Sequence, residues 1–322
     1  MTISVVIPVY NGSRTIRATL DSVLQQTRSA HEILVMDDGS RDDTFSLLGS
    51  YAPRVTVFRQ ENMGVAAARN ALCARAKGDL VAFLDHDDLW HCSYLEYLCR
   101  LYGDYPNAVA FFTGHVNFEG HGAYQWEFDP LNAAAEAEII SGLDFLRRYN
   151  ETTGSFASSS YLSVPRRVLQ RLGNEPFRLD GVADSYLCTT LPLLGAVVYA
   201  SAPLVAYRIT EASLSADRLK MFAPWVDVFR LLEERYREQA EKPVLREFEL
   251  AFASRRRQYG KLLMAADRAP EARKQFRQAM FNSLIPSSMA KSLAWLLASY
   301  MPQRLQPKWP PLRRQWNTSA QL

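Results

Sequence analysis

The chain has only four cysteines, Cys73, Cys92, Cys99 and Cys188, and no two of them form a CxxC pair. No histidine stands at zinc-ligand spacing from a cysteine pair, so zinc-finger and ribbon arrangements are excluded. With so few cysteines a reducing compartment is the simplest reading. There is no GxxxxGK[ST] loop for a triphosphate and no GxGxxG turn, which leaves ATPases and dinucleotide enzymes without support. The N-terminus runs directly into a strand-like stretch at residues 3–7. It lacks the basic segment, long apolar region and small-residue cleavage site of a leader, and a cytoplasmic location is expected. No internal repeat or low-complexity tract is apparent.

What is present fits a folded chain: 322 residues, 48% of them hydrophobic and 22% charged, enough to bury a substantial core. The net charge of +3 hides a division. Residues 1–242 carry 23 basic and 30 acidic side chains, net −7, whereas 243–322 carry 14 and 4, net +10. An acidic body with a basic tail points the tail at an anionic surface, a membrane leaflet or nucleic acid; a solvated helical appendage is the plainer alternative.

Short β-rich runs alternate with helical patterns through the first hundred residues: 3–8 then 15–26, 32–36 then 44–51, 55–59 then 65–77, and finally 80–84. That alternation predicts an α/β fold with a mostly parallel sheet. From residue 109 the pattern is mixed, with strands expected at 109–113, 156–164 and 197–199 and helices at 142–149, 166–172 and 184–193. From 224 it is almost wholly helical, over 225–239, 244–264, 270–281 and 288–300. The expected organisation is a domain at 1–222, divided into halves at 1–108 and 109–222. A helical region follows at 223–301, then a basic, Pro-rich tail at 302–322.

Polar clusters follow three strands, at Tyr10-Asn11-Gly12-Ser13, Asp37-Asp38-Gly39-Ser40 and Asp85-His86-Asp87-Asp88. Ligands of open α/β sheets bind outside the carboxyl ends of the strands, so the three clusters are expected to converge. Asp85, Asp87 and Asp88 repel one another unless something positive sits there, and Mg²⁺ or Mn²⁺ is a natural counter-charge. A solvated acidic loop opening the next helix is the competing reading. Ser40 and Asp43 can form a capping box, which leaves Asp37 and Asp38 unexplained; a carboxylate at a strand's end can accept from a base or a ribose. Arg69, in Asn62-Met63-Gly64-Val65-Ala66-Ala67-Ala68-Arg69-Asn70, can hold Asp38 or reach a nucleotide, or be an ordinary surface partner.

Taken in order, Ser4-Val5-Val6-Ile7-Pro8-Val9-Tyr10-Asn11-Gly12, Asp37-Asp38-Gly39-Ser40-Arg41-Asp42-Asp43-Thr44, the 62–70 segment and Leu84-Asp85-His86-Asp87-Asp88 resemble the successive motifs of family 2 inverting glycosyltransferases. The resemblance implies a GT-A fold, with 1–222 the catalytic domain, 1–108 its nucleotide-sugar half and 109–222 its acceptor-side half, and places donor contacts at Pro8, Val9, Tyr10, Asn11, Asp38, Arg69, Asp85 and Asp87. It implies a Mn²⁺ or Mg²⁺ ion at Asp87 with Asp88. Asp184, in Gly181-Val182-Ala183-Asp184, is similar to the family's catalytic base, although Ala183 replaces its usual acidic neighbour; a helix cap is the alternative. His86 and His91 are not expected to be metal ligands; His86 suits the turn and His91 the helix after it. Thr210, near Ser213 and Ser215, stands where many relatives carry a metal-binding His, and no Q-x-x-R-W of the processive synthases occurs.

The implied function is transfer of one sugar from a nucleotide sugar, a UDP-sugar in the first instance, to a hydroxyl of a glycan or lipid-linked acceptor in cell-envelope polysaccharide synthesis. A sugar nucleotidyltransferase or a silent nucleotide-sugar-binding scaffold are the competing classes. Nucleic acid is not an expected partner. An anionic membrane is, at the inner face of the cell membrane, because Met289, Leu293, Leu296, Leu297 and Tyr300 form a helical stripe beside Trp295, followed by Arg304, Lys308, Arg313 and Arg314. The same stripe suits packing on the protein's own helices.

Overall fold

A computed structural model of the chain describes residues 1–126, 136–152, 157–209 and 217–311. These fall into two compact units, one holding residues 1–126, 136–142 and 157–209 and the other 143–152 and 217–311.

The first unit is α/β, as its alternating pattern predicts. Strand β1 (Ile3–Val9) is buried along its whole length and β2 (Glu32–Asp37) from Ile33 onward. Burial of successive residues in this way belongs to strands covered on both faces. With β3 (Thr56–Arg59) and β4 (Leu80–Phe83) they lie in the order β3-β2-β1-β4, all parallel. Helices α1 (Ile16–Leu24), α2 (Thr44–Gly49) and α3 (Val65–Arg75) make the crossovers. The chain therefore moves outward from β1 to β3 and returns to the other flank of β1 as β4. Strand order reverses between β1 and β4, the position where open α/β sheets leave a ligand crevice. β1 pairs with β4 only from Ile3 to Val6. Pro8, which has no N–H to donate, lies beyond the last of these pairs.

The sheet continues through β8 (Leu162–Pro165), β6 (Phe111–Phe118), β9 (Val197–Arg208) and β5 (Leu89–Trp90), with β7 (Ala137–Ile140) also on β9. Here β6 and β9 are parallel and the remaining pairs antiparallel. Helices α4 (Tyr94–Asp104), α6 (Arg166–Leu172) and α7 (Ala183–Thr190) complete the unit. Two local expectations are corrected. The acidic loop leads into β5 rather than into a helix, because Leu89 and Trp90 pair with Ala206 and Val205. His91 thus sits in the turn before α4, where its Nδ1 accepts from the Ser93 N–H at 3.2 Å. The Ser40 and Asp43 capping box does not form: Asp42 Oδ1 accepts from the Thr44 N–H and hydroxyl instead, at 3.1 and 2.5 Å.

The second unit holds α5 (Gly142–Glu151) beyond its first residue, with α8 (Arg218–Gln239), α9 (Lys242–Ala265), α10 (Ala269–Phe281) and α11 (Pro286–Ala298). Asp217 caps α8 by accepting from the Lys220 N–H, and α9, α10 and α11 each carry proline in the first turn, where no donor is lost. Tyr236 stacks on Phe248 at 3.9 Å in the aromatic core, and Phe229 packs on Phe248 and Phe252. A reading along the chain groups α5 with the acceptor-side half. Its contacts join it to these helices, since buried Arg255 donates to the Tyr149 carbonyl at 3.1 Å and Arg147 pairs with Glu247 at 3.7 Å. Among the described residues no helix is long and apolar enough to cross a membrane.

Candidate functional site

The three loops at the carboxyl ends of β1, β2 and β4 meet around the strand-order reversal. Asn11 adopts φ 51°, its N–H donates to Ser40 Oγ at 2.9 Å, and its Oδ1 accepts from the Arg41 N–H at 2.9 Å. Ser13 N–H donates to Asp42 at 3.1 Å. These bonds tie the first loop to the second. The Thr19 hydroxyl on α1 reaches the His86 and Asp88 carbonyls, at 2.8 and 3.0 Å, and Thr15 Oγ1 lies 3.4 Å from His86 Nδ1. That ties the first loop to the acidic one and occupies His86 within the turn. Pro8 and Val9 are buried at the end of β1, the Val9 carbonyl accepting from the Asp38 N–H at 2.8 Å, while Tyr10 is exposed.

Asp37 and Asp38 are both engaged within the chain. Asp37 pairs with Arg59 at 3.1 Å and accepts from the Ser40 N–H. Asp38 is buried; Oδ1 accepts from Gln60 Nε2 and the Met63 N–H at 2.7 and 3.0 Å, and Oδ2 from the Gly64 N–H at 2.9 Å. Three of about four acceptor positions of the carboxylate are thereby used to shape the loop before α3. Arg69 is not what holds Asp38.

Arg69 turns instead to the acidic loop, where its Nη2 lies 2.5 Å from Asp85 Oδ1. The guanidinium is buried over the face of Phe177, 5.4 Å from the ring centre. Burial alone would lower its pKa, but the charges of Asp85 and Asp184 outweigh it and the pKa is raised. Asp184 stands in the first turn of α7, after the N-cap Val182, and its Oδ1 accepts from the Ser185 N–H at 2.8 Å. Its own pKa is raised by burial, with Arg69 pulling it down and Asp85 adding to the rise. One cation therefore faces a carboxylate from the β4 loop and another from α7.

The rest of the acidic loop is clamped from β9. Arg208 donates its backbone N–H to Asp88 Oδ1 at 2.8 Å and its Nε–H to the Asp87 carbonyl at 2.6 Å; its other nitrogens reach the Gly120 and Gly122 carbonyls. Burial first, then repulsion from Asp87 and Asp85, pushes Asp88 well above the usual carboxylate range. Asp87 is raised by burial and by Asp85, against His86 and Arg208. Among the described residues no group of three or more His, Cys, Asp and Glu is placed to hold a metal alone. Magnesium-type sites draw one or two carboxylates from the protein and complete the shell with phosphate and water, and a loop of this chemistry fits that kind of site. Asp87 fits better than Asp88, whose Oδ1 is turned onto the Arg208 N–H. Thr210, Ser213 and Ser215 lie outside the described residues.

A clip on α3 positions the segment leading into α7. Asn70 brackets Phe177, donating to its carbonyl at 2.9 Å and accepting from its N–H at 3.0 Å. Asp180 Oδ1 accepts from the Ala66 N–H at 2.9 Å, capping α3 from outside. Gly64 is required there: at φ 89° a side chain is strained, and its Cβ would stand 1.9 Å from Asp180 Oδ2. Asp180, the next carboxylate after Asp184 that a search for a base would test, is thus occupied as a helix cap. Sequence reasoning missed this clip, the Arg208 clamp, and Ser160, whose hydroxyl accepts from the Asp85 N–H at 3.1 Å. Asn70 and Arg208 lie inside recognisable motifs, but nothing local names their partners.

The model of the family described as "Glycosyl transferase family 2" matches residues 4–173. Over 220 residues the chain is 30% identical to "Glycosyltransferase GlyA" of Streptococcus pneumoniae, covering 66% of this chain and 31% of that protein. Over 96 residues it is 42% identical to the Escherichia coli "UDP-Glc:alpha-D-GlcNAc-diphosphoundecaprenol beta-1,3-glucosyltransferase WfgD", covering 29% and 38%. The chain spans about a third of the length of these curated relatives. Among solved structures, S. aureus TarS 1–349 in complex with UDP-GlcNAc superposes with a TM-score of 0.68 at 17% identity, over 93% of this chain and 89% of that one, a likeness of fold.

Proposed function

This chain belongs to glycosyl transferase family 2, and from that premise we propose that it is an inverting glycosyltransferase acting on a nucleotide-diphospho-sugar. A UDP-sugar is the first donor to try, and the acceptor is a hydroxyl of a glycan or lipid-linked saccharide in cell-surface polysaccharide synthesis. The observation that carries the reading is the buried Arg69, ion-paired to Asp85 at 2.5 Å and near enough to Asp184 for its charge to act there. It couples a carboxylate at the strand-order reversal to a separate carboxylate whose raised pKa suits a base. The UDP-linked activity in the name of WfgD and the UDP-GlcNAc held by TarS support the choice of donor.

In this reading the donor lies at the carboxyl ends of β1 and β4, with Pro8, Val9, Tyr10, Asn11 and Asp38 lining the nucleoside side and Asp85 and Asp87 the ribose and diphosphate side. Asp184 takes the acceptor hydroxyl's proton as the acceptor oxygen attacks the anomeric carbon from the face opposite the diphosphate. The bond to the diphosphate oxygen breaks, the nucleoside diphosphate departs, and the anomeric configuration inverts. A Mg²⁺ or Mn²⁺ ion held through Asp87, with Asp88 behind it, would neutralise charge on the departing phosphate oxygens. Arg69 fixes Asp85 and keeps a positive charge beside Asp184.

Paired variants test this. Asp184→Asn keeps size and removes the proton acceptor, so transfer is expected to fall about 10²–10⁴-fold with donor affinity nearly unchanged. Asp87→Asn is expected to weaken donor binding in the presence of Mn²⁺ while the fold persists, and chelation to abolish transfer. Near-normal transfer by Asp184→Asn overturns the base assignment, and undiminished transfer after exhaustive chelation overturns the metal. Pyrophosphate exchange in place of sugar release would mark a nucleotidyltransferase, and binding without turnover a scaffold.

A further inference from the structure

Helix α11 turns apolar side chains two ways, inward and outward. Its buried side chains are Ser288 and Ser292, with Ser299 following just past its end, whereas Leu293 and Leu297 are 42% and 57% exposed. Tyr300 and Met301 continue the exposed side at 59% and 45%. At about 100° per residue, Leu293 and Leu297 stand roughly 140° around the helix from Ser288 and Ser292. The serine face has its partners: Arg257 Nη1 donates to both hydroxyls, at 3.0 and 3.2 Å, and the Ser292 hydroxyl returns to the Ser288 carbonyl. Trp295 and Leu296 pack against Leu263, Met264, Ala272 and Phe276. The stripe foreseen from sequence is thus split, with Leu296 turned inward and Leu293, Leu297 and Tyr300 outward.

An ordinary surface helix turns its leucines to the core. The charge of the chain from α10 onward says what medium suits the outward leucines. From residue 272 to the end the chain carries eight Lys and Arg and no Asp or Glu. Lys274, Arg277, Lys291, Arg304 and Lys308 are exposed; Arg313 and Arg314 lie outside the described residues. Nucleic acid would satisfy the cations and leave the leucines in water. A second copy of this face would set like charges against each other. An anionic bilayer accepts both, leucine in its acyl boundary and Lys and Arg among its phosphates. We propose that the outer face of α11, with its basic flanks, docks the chain on an anionic lipid surface without crossing it.

Flotation of the full chain tests this, and because it reads no catalysis it stands apart from the transfer reading. Vesicles of phosphatidylcholine with and without phosphatidylglycerol are the probes. The chain is expected to float at low salt with the phosphatidylglycerol vesicles and not with phosphatidylcholine alone. The exposed pair Leu293→Gln with Leu297→Gln is expected to lower partitioning about tenfold or more. Arg304→Gln with Lys308→Gln is expected to lower it about fivefold per charge. Failure of the intact chain to float with phosphatidylglycerol vesicles at low salt overturns the proposal. So does flotation that the leucine pair leaves unchanged, or a dimer in solution that the leucine pair dissociates while no flotation is seen.

Discussion

A guanidinium paired with one carboxylate and acting on a second has a consequence that can be titrated. Asp184 is pushed above the ordinary carboxylate value of about 4 by burial and by Asp85, and held back by Arg69. If Asp184 works as a base it must be deprotonated, so the acidic limb of kcat/KM is expected above that value, with activity lost as pH falls through it. Replacing Arg69 with Met removes the charge that favours ionised Asp184 from outside its own turn, and the limb moves further up. Arg69→Lys retains a charge but not the fork, so its limb stays closer to the parent's while transfer still falls. pH–rate profiles of the three proteins check this; an unmoved limb in Arg69→Met would exclude Asp184 as the group being titrated.

At the scale of elements, the packing of α9 on α10 turns on Gly260. A Cβ there would stand 2.5 Å from Phe276 Cε1, with two further ring atoms at 2.9 Å. Gly260→Ala gains helix propensity but overpacks a buried ring, and a net loss of about 1–2 kcal/mol is expected. Gly103 in α4 has nothing within 4 Å of the same atom, so Gly103→Ala is expected to stabilise by up to about 1 kcal/mol. Denaturant melts of both variants check the opposite signs. Elements with a period to read were legible in the sequence: the parallel β1 to β4 half and the four long C-terminal helices follow their patterns closely. β5 was not, since two residues have no period, and β9 was seen only at its start because Ala200-Ser201-Ala202-Pro203 interrupts the β-branched run. The site divides the same way. Acidic clusters at strand ends are local and visible; Asn11 bonds the first loop to the second, and Thr19 on α1 bonds to the acidic loop. Which carboxylate meets which donor is a tertiary fact, so Arg69 was offered Asp38 and takes Asp85.

Across the whole molecule the opposite charges of body and tail follow the division of labour proposed for them, an acidic loop with a cation-dependent donor in one unit and a cationic apolar face in the other. The clip between α3 and the segment before α7 matters to how the molecule comes into being. The bonds from Asn70 to Phe177 and from Ala66 to Asp180 join residues 107 and 114 positions apart. Closing so long a stretch of chain costs entropy before any contact repays it, whereas the helices of the second unit form from neighbours in sequence. Refolding followed by far-ultraviolet dichroism is therefore expected to recover helix before the chain regains donor binding. The interval between the two signals is the time in which a newly made chain is already helical but has no assembled site.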